Sequence, residues 1–364
     1  MNLTADKVDL PGCSRWMMMS AGVLLLVACM PASRPPAQLV PAGAVETRVW
    51  PAMPEVPRYR FSGQLTGEDN FVTGKRQGGS MRRLLNWVIG LTGTGREKRV
   101  LQRPQSGVVD PDGRVYVTDV SRQAVFVFDL PAGSLKLWEW AAPGKRFVAP
   151  VGIALGQAGE VWVADAELGR VVQLDGEGGS RALWGDGILK RPTGVAYDAQ
   201  RGELYVADTA AHDIKVFDTS GGLHRVIGRR GSGGGEFNAP THLAFRDGRL
   251  YVSDTLNARI QVLDAAGGHI ADIGRRGLRM GDLVRPKGVA VDDEGNVYVM
   301  ESYYDYMLIY DARGRFLMPI GGTGSGVGEF FLPSGVWTDN RNRVFVADMF
   351  NGRIMIFQYL GERE

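Results

Sequence analysis

Between residues 104 and 360 the apolar positions fall into short runs that repeat six times. A proline recurs at Pro104, Pro150, Pro192, Pro240, Pro286 and Pro333, at intervals of 42 to 48 residues, usually two before a glycine and an apolar pair. Each proline opens the same four segments. In the fifth repeat these read GVAVD (288–292), NVYVM (296–300), MLIYD (307–311) and RFLMPIG (315–321). All four are short, rich in β-branched or aromatic residues and bounded by Gly or Asp turns, which is how strands read. A helical repeat of this length needs apolar spacings of three and four, which these segments lack. Four antiparallel strands per repeat describe one blade of a propeller. The expected fold is all-β: a six-bladed β-propeller of four-stranded antiparallel blades.

Ring closure is also legible. Repeats one to five have a fourth strand, from KLWEWA (136–141) to FLMPIG (316–321), whereas the sixth stops after RIMIFQYL (353–360). RYRFSGQL (58–65) is the candidate for the missing strand, because pairing it there leaves no half-finished blade with an exposed edge. The organisation is then a leader (1–28), a Pro-rich tether (29–57), the closing strand (58–66), an insert (67–100) and the propeller (101–364). In the insert, SMRRLLNWVIGL (80–91) carries one helical stripe, Met81, Leu84, Leu85, Val88 and Ile89, after a Ser80 cap. That stripe packs on the propeller or docks on a membrane or partner.

The repeats resemble a known family. PTHLAF, RLYVSD and TLNARIQVLD (255–264) in the fourth repeat, and VFVADMFNGRIMIF (344–357) in the sixth, look like NHL repeats, whose domains form six-bladed propellers. The resemblance spans about 104–360. Its Asn-x-Arg-Ile signature survives at Asn257/Arg259 and Asn351/Arg353 and is degenerate in the other blades. The aspartates that close the second strand (Asp119, Asp165, Asp208, Asp254, Asp348) recur in every blade but one, which reads as turn and strand-end hydrogen bonding rather than catalysis. Glycine, 50 of 364 residues and about twice the usual ~7 %, fits many tight turns.

Strand alternation sorts the loops by face. Connections one-to-two and three-to-four are tight turns (DPDG, DDEG, DTSGG, DAAGG), and connections two-to-three and four-to-one are long and varied. Binding residues favour variable loops on a rigid scaffold, so the long-loop face is the candidate site. It holds three aligned loops, 227–240, 273–286 and 320–333. Their glycines lack the following helix that a phosphate loop needs. Arg229, Arg230, Arg275 and Arg276, with Arg279, form an expected basic arc toward an acidic partner. Glu301, Tyr303, Tyr304 and Tyr306 depart from the repeat pattern, as a contact surface or as local repacking. His242 and Lys287 complete the candidate face, at the start of two inner strands.

Two enzyme families on similar propellers set the alternatives. Amidating lyases resemble NHL proteins and hold zinc by three histidines; this chain has four in all, and only His212 and His242 fall on the candidate face. Gluconolactonase-like propellers use Glu, Asn and Asp around a divalent metal. The inner strands here open with Gln105, Val151, Thr193, Thr241, Lys287 and Ser334, which include no carboxylate, and hard cations want several oxygen ligands. No metal and no cofactor are expected.

The run 16–30 (WMMMSAGVLLLVACM) has the length of a signal-peptide core, roughly 22 Å as a helix against a ~30 Å hydrocarbon layer. Its end, Leu26-Val27-Ala28-Cys29, resembles a bacterial lipobox, which implies lipid on Cys29; Met30 after it implies outer-membrane sorting. Seven prolines from 30 to 57 make a stiff tether. Cys13 leaves with the leader, so the mature chain has no free thiol to oxidise. A net charge of +2 excludes a general nucleic-acid binder. The expectation is a monomeric, non-enzymatic envelope lipoprotein that faces the periplasm or cell surface. It is membrane-held through its N-terminal lipid and binds a protein partner or ligand through the long-loop face. The alternative is a metal-dependent propeller enzyme, amidating-lyase-like or lactonase-like. Cys29→Ser is expected to release the protein from membranes or leave an uncleaved precursor, as read by detergent partitioning; unchanged partitioning would remove the anchor.

Overall fold

The computed structural model describes residues 48–71 and 98–361. The leader, Cys29, the tether before Arg48 and the 80–91 helix lie outside the described residues. Apart from two single-turn 3-10 segments, Glu68–Phe71 and Thr255–Asn257, the regular elements among the described residues are strands. They form six antiparallel blades. Each blade runs from an inner strand, such as Pro192–Asp198, through two middle strands, Glu203–Asp208 and Asp213–Phe217, to an outer strand, Leu223–Ile227. The repeating proline opens the inner strand in blades one to five. In blades three, four and five the register shifts just after it (Pro192/Val195, Pro240/Leu243, Pro286/Val289). A residue without an N–H fits a strand's first position or an irregularity there.

Side chains alternate across each strand, so one strand feeds two cores. Val115 and Val117 pack toward the sixth blade, and Tyr116 between them packs toward the second. Six apolar cores result, one between each pair of neighbouring blades. Near the axis the inner strands approach closely. A Cβ at Gly194 would meet Thr241 O at 2.7 Å, and one at Gly288 would meet the Val336 nitrogen at 2.5 Å, so these positions admit no side chain as the ring stands.

The last blade closes as the chain pattern predicts. Tyr59–Leu65 pairs antiparallel with Arg353–Tyr359, from Tyr59↔Tyr359 to Leu65↔Ile354. Tyr59 and Phe61 enter the core between blades five and six, and Leu65 enters the core between six and one. The structure adds two features. Val49–Trp50, within the expected tether, pairs with Tyr59–Leu65 as a fifth strand, and Trp50 packs edge-on to Phe357 at 5.3 Å. In blade one the outer strand ends at Trp138, and the chain then turns back through a small hairpin, Trp140–Ala142 with Lys145–Arg146.

Full burial of a large apolar side chain contributes about 1.5–3 kcal/mol. With the cavity left behind adding to that loss, Phe61→Ala is expected to destabilise by about 3–5 kcal/mol in urea denaturation, whereas the exposed Arg60→Ala should stay within about 0.5 kcal/mol. Deleting 58–65 should leave a bare edge and aggregation.

Candidate functional site

The long-loop face is built on one repeated clasp. The carboxylate at the end of each second strand receives backbone N–H groups of the loop that enters the inner strand of its own blade. Asp119 accepts from Gln102 at 2.6 Å and Arg103 at 3.0 Å, and Asp208 accepts from Lys190 at 2.9 Å and Arg191 at 2.8 Å. Glu301 does the same in blade five, accepting from Val284 at 2.7 Å, Arg285 at 2.9 Å and Tyr303 at 2.9 Å. It is buried, and its departure from the pattern is one extra methylene in the same role. The Asn-x-Arg signature extends the clasp. Asn257 donates to Gly231 O and to Asp254, and Arg259 donates to Asp254 and Gly233 O. Asn351 and Arg353 repeat this on Gly324 O, Gly326 O and Asp348.

The three aligned loops are consequently rigid. Each is plugged by a fully buried residue, Phe237, Leu283 or Phe330, and each has an acid folded back on its own turn. Glu236 accepts from Gly233 N, Asp282 from Arg279 N, and Glu329 from Gly326 N, at 2.9–3.1 Å. The Gly233 bond, with Arg229 beside it, holds Glu236 below the usual carboxylate range. Asp305 is spent on Leu332 N and the Thr323 hydroxyl. Across the loops and turns of blades four to six (228–239, 255–258, 274–285, 302–305, 322–335, 349–352) stand six arginines and four carboxylates. All six arginines are exposed and none of the acids is. Arg229 and Arg275 pair with Glu236 and Asp282 from the solvent side, and Arg276 donates to Leu256 O. The exposed charge on this part of the face is entirely arginine.

Apolar groups lie among these arginines. Leu278 is 79 % and Met280 53 % exposed, and Leu256, Tyr303, Tyr304, Phe331 and Phe350 are also exposed. Tyr303 and Tyr304 meet edge-to-face at 4.8 Å, Phe331 and Phe350 at 5.5 Å, and the Arg103 guanidinium lies 5.1 Å over Phe350. The bond from Leu332 N to Asp305 ties the two aromatic pairs together. A recess of about 110 Å³ opens between Leu278, Met280, Tyr304, Tyr306 and Leu308. The structure thus brings Arg275, Tyr304 and Tyr306 into one neighbourhood and keeps Arg229 and Arg230 on the preceding loop. Sequence reading missed Leu278 and Met280. The signal was present: they stand where the preceding aligned loop has Ser232 and Gly234.

The central channel, about 270 Å³, is lined by the inner strands of all six blades. His242 occupies the third position of its inner strand, where blades two, three, five and six have glycine. Thr255 donates to Pro286 O (2.9 Å), so Thr241 donates to Thr255 (2.7 Å) and accepts from His242 Nδ1 (3.2 Å). This places the proton on Nδ1 and leaves Nε2 buried without a partner. Burial, with the Lys287 ammonium nearby, pushes His242 down to about 3; burial and Arg285 also lower Lys287. The other histidines are engaged apart, His212 with Ala239 N, His224 with Glu203 and His269 with Asp272. Among the described residues no three His, Cys, Asp or Glu side chains gather as a metal site. Because His242 is neutral when folded and takes a proton near 6.5 when unfolded, stability should fall as pH drops below 6.5 toward 3, by up to about 1.4 kcal/mol per pH unit. Melting curves of His242→Asn should show a shallower acid slope than wild type; identical slopes would contradict this.

Comparison with known proteins agrees with the geometry. The family model described as 6-bladed beta-propeller (DUF5128) matches residues 282–362, and the NHL repeat model matches 189–217. The second match falls on blade three, where the signature arginine is lost and Lys215 contacts Asp208 instead, at 3.1 Å. No curated protein matches by sequence. Similar solved structures include an auxiliary nutrient binding protein from Bacteroides thetaiotaomicron (TM-score 0.57, 16 % identity, 73 % of this chain and 71 % of that one). A gluconolactonase from Xanthomonas campestris has a TM-score of 0.55 at 15 % identity, over 71 % of this chain and 86 % of that one. Virginiamycin B lyase from Staphylococcus aureus has a TM-score of 0.52 at 14 % identity, over 71 % and 96 %. At these identities the likeness is one of fold. The chain folds as a six-bladed β-propeller with NHL repeats.

Proposed function

We propose that this propeller is a non-enzymatic binding module of the cell envelope, held by lipid on Cys29, that docks a protein partner through the long-loop face of blades four to six. The observation that carries the reading is the exposed apolar arc from Leu278 to Phe350, set among arginines with no exposed acid beside them. Contiguous exposed apolar surface on a soluble domain marks an interaction site. Tyrosine and arginine are the residues that most often dominate such contacts. The loops that present them are already locked by the carboxylate clasps, so docking costs little ordering entropy. A fold shared with a nutrient binding protein, a lyase and a gluconolactonase does not choose among activities.

Capture of partners from envelope extract tests the docking face. Arg230→Glu, Arg275→Glu and Arg276→Glu together should weaken capture and reduce its salt dependence, since exposed charge acts over a screened range of about 8–10 Å. Reversing Asp218, Asp264 and Asp311 in the short turns should leave capture unchanged. The opposite outcome would move the working face to the other end of the ring. Elemental analysis of protein purified without chelator should show no stoichiometric zinc or calcium, and one metal per chain would revive an enzyme reading.

A further inference from the structure

The recess on blade five carries chemistry specific enough to narrow the partner. Its floor is fixed: the Tyr310 hydroxyl donates to Gly281 O at 2.8 Å, and the buried Leu283 holds the loop from below. Its carboxylates are unavailable to a ligand, because Asp282 is bonded to Arg279 N and Arg275, and Glu301 to three backbone N–H groups. What faces outward is aliphatic (Leu278, Met280), aromatic (Tyr304, Tyr306) and cationic (Arg279). The volume, about 110 Å³, is below the ~150 Å³ of a cavity that admits a benzene ring. A branched aliphatic side chain fits better than an aromatic one. Arg275, Arg276, Arg279 and Arg285 are exposed on the one loop that forms the recess wall. An incoming chain that brings carboxylates beside its apolar residue gains attraction there, and one that brings lysines is repelled.

We propose that the long-loop face recognises an acidic segment of its partner, seated by one leucine-like side chain in the recess between Leu278, Met280, Tyr304 and Tyr306 and flanked by carboxylates that meet the Arg275–Arg279 arginines. This rests on the docking reading above and adds the partner's chemistry. A lipid surface is the less suitable occupant, because the site is a concave, rigid recess sized for one side chain rather than a projecting apolar edge.

The test uses the purified full chain and immobilised short peptides with an Asp/Glu-rich background and a single central Leu, Trp or Ala, plus the Leu peptide on a Lys-rich background. Acidic Leu peptides should bind, with acidic Trp and Ala versions about tenfold weaker and Lys versions not retained. Arg275→Glu with Arg279→Glu should weaken the Leu peptide about tenfold and flatten its salt dependence. Leu278→Ser with Met280→Ser should weaken it comparably while leaving the salt dependence intact. Folding of each variant is checked by its melting curve. Equal binding of acidic and basic peptides, or indifference to Leu278 and Met280, would overturn the assignment. Retention on phosphatidylglycerol-rich vesicles without peptide discrimination would overturn it too. If envelope capture still depends on the face while peptides are not discriminated, only this partner chemistry fails; if capture ignores the face, the docking reading itself fails.

Discussion

The structure depends on one repeated interaction, a buried carboxylate at the end of each second strand that collects the N–H groups of the loop entering the inner strand of the same blade. Hydrogen bonds to a charged group contribute about 1.5–3 kcal/mol, and a buried acceptor left without them costs more than it would have contributed. Asp119, Asp165, Asp208, Asp254, Glu301 and Asp348 each sit at 1 % exposure or less, so each needs its donors. The clasp fixes where every four-to-one loop ends and so where every inner strand begins. Inner strands placed this way approach closely enough that several positions near the axis tolerate only glycine. In blades four and six the Asn-x-Arg pair makes the clasp two-sided by gripping the loop's carbonyls as well. The Asn-x-Arg signature is therefore a loop-holding device in this chain.

The same economy sets the charge of the candidate face. Acids on the long loops turn inward to hold backbone N–H groups, whereas arginines, which cannot accept a hydrogen bond, meet carbonyls or the outer edge of those acids and point outward. A chain almost neutral overall thus presents an arginine-dominated surface on one sector. Composition cannot reveal such a surface, because it counts acids and bases without regard to which are consumed.

Most of the fold was legible because it is written as repetition. The six prolines, the four apolar runs after each of the first five, and the short final blade completed by 58–65 are all pattern-level facts. What escaped were features that occur once: the two-residue strand Val49–Trp50 in a stretch that reads as tether, and the hairpin after Trp138. The candidate face was legible in part. Its arginines and tyrosines stand out as residue types, but Glu301 looks like an exposed novelty until its three N–H partners are seen. Leu278 and Met280 were hidden inside a loop read for its glycines and arginines. Comparing aligned loops position by position, rather than by composition, would have exposed them.

Closure of the ring has a consequence in time. Phe61 is paired with Phe357, so a strand made early waits for one made far later along the chain. Until 353–359 is made, the early strand has no partner, and the growing array carries an open edge at each end. Contacts of such long sequence separation form slowly. Blades one to five can assemble in order as local units, each supported by its neighbour. The final step is different in kind: it joins strands made far apart in time, and any truncation before 353 leaves Tyr59–Leu65 without its mate.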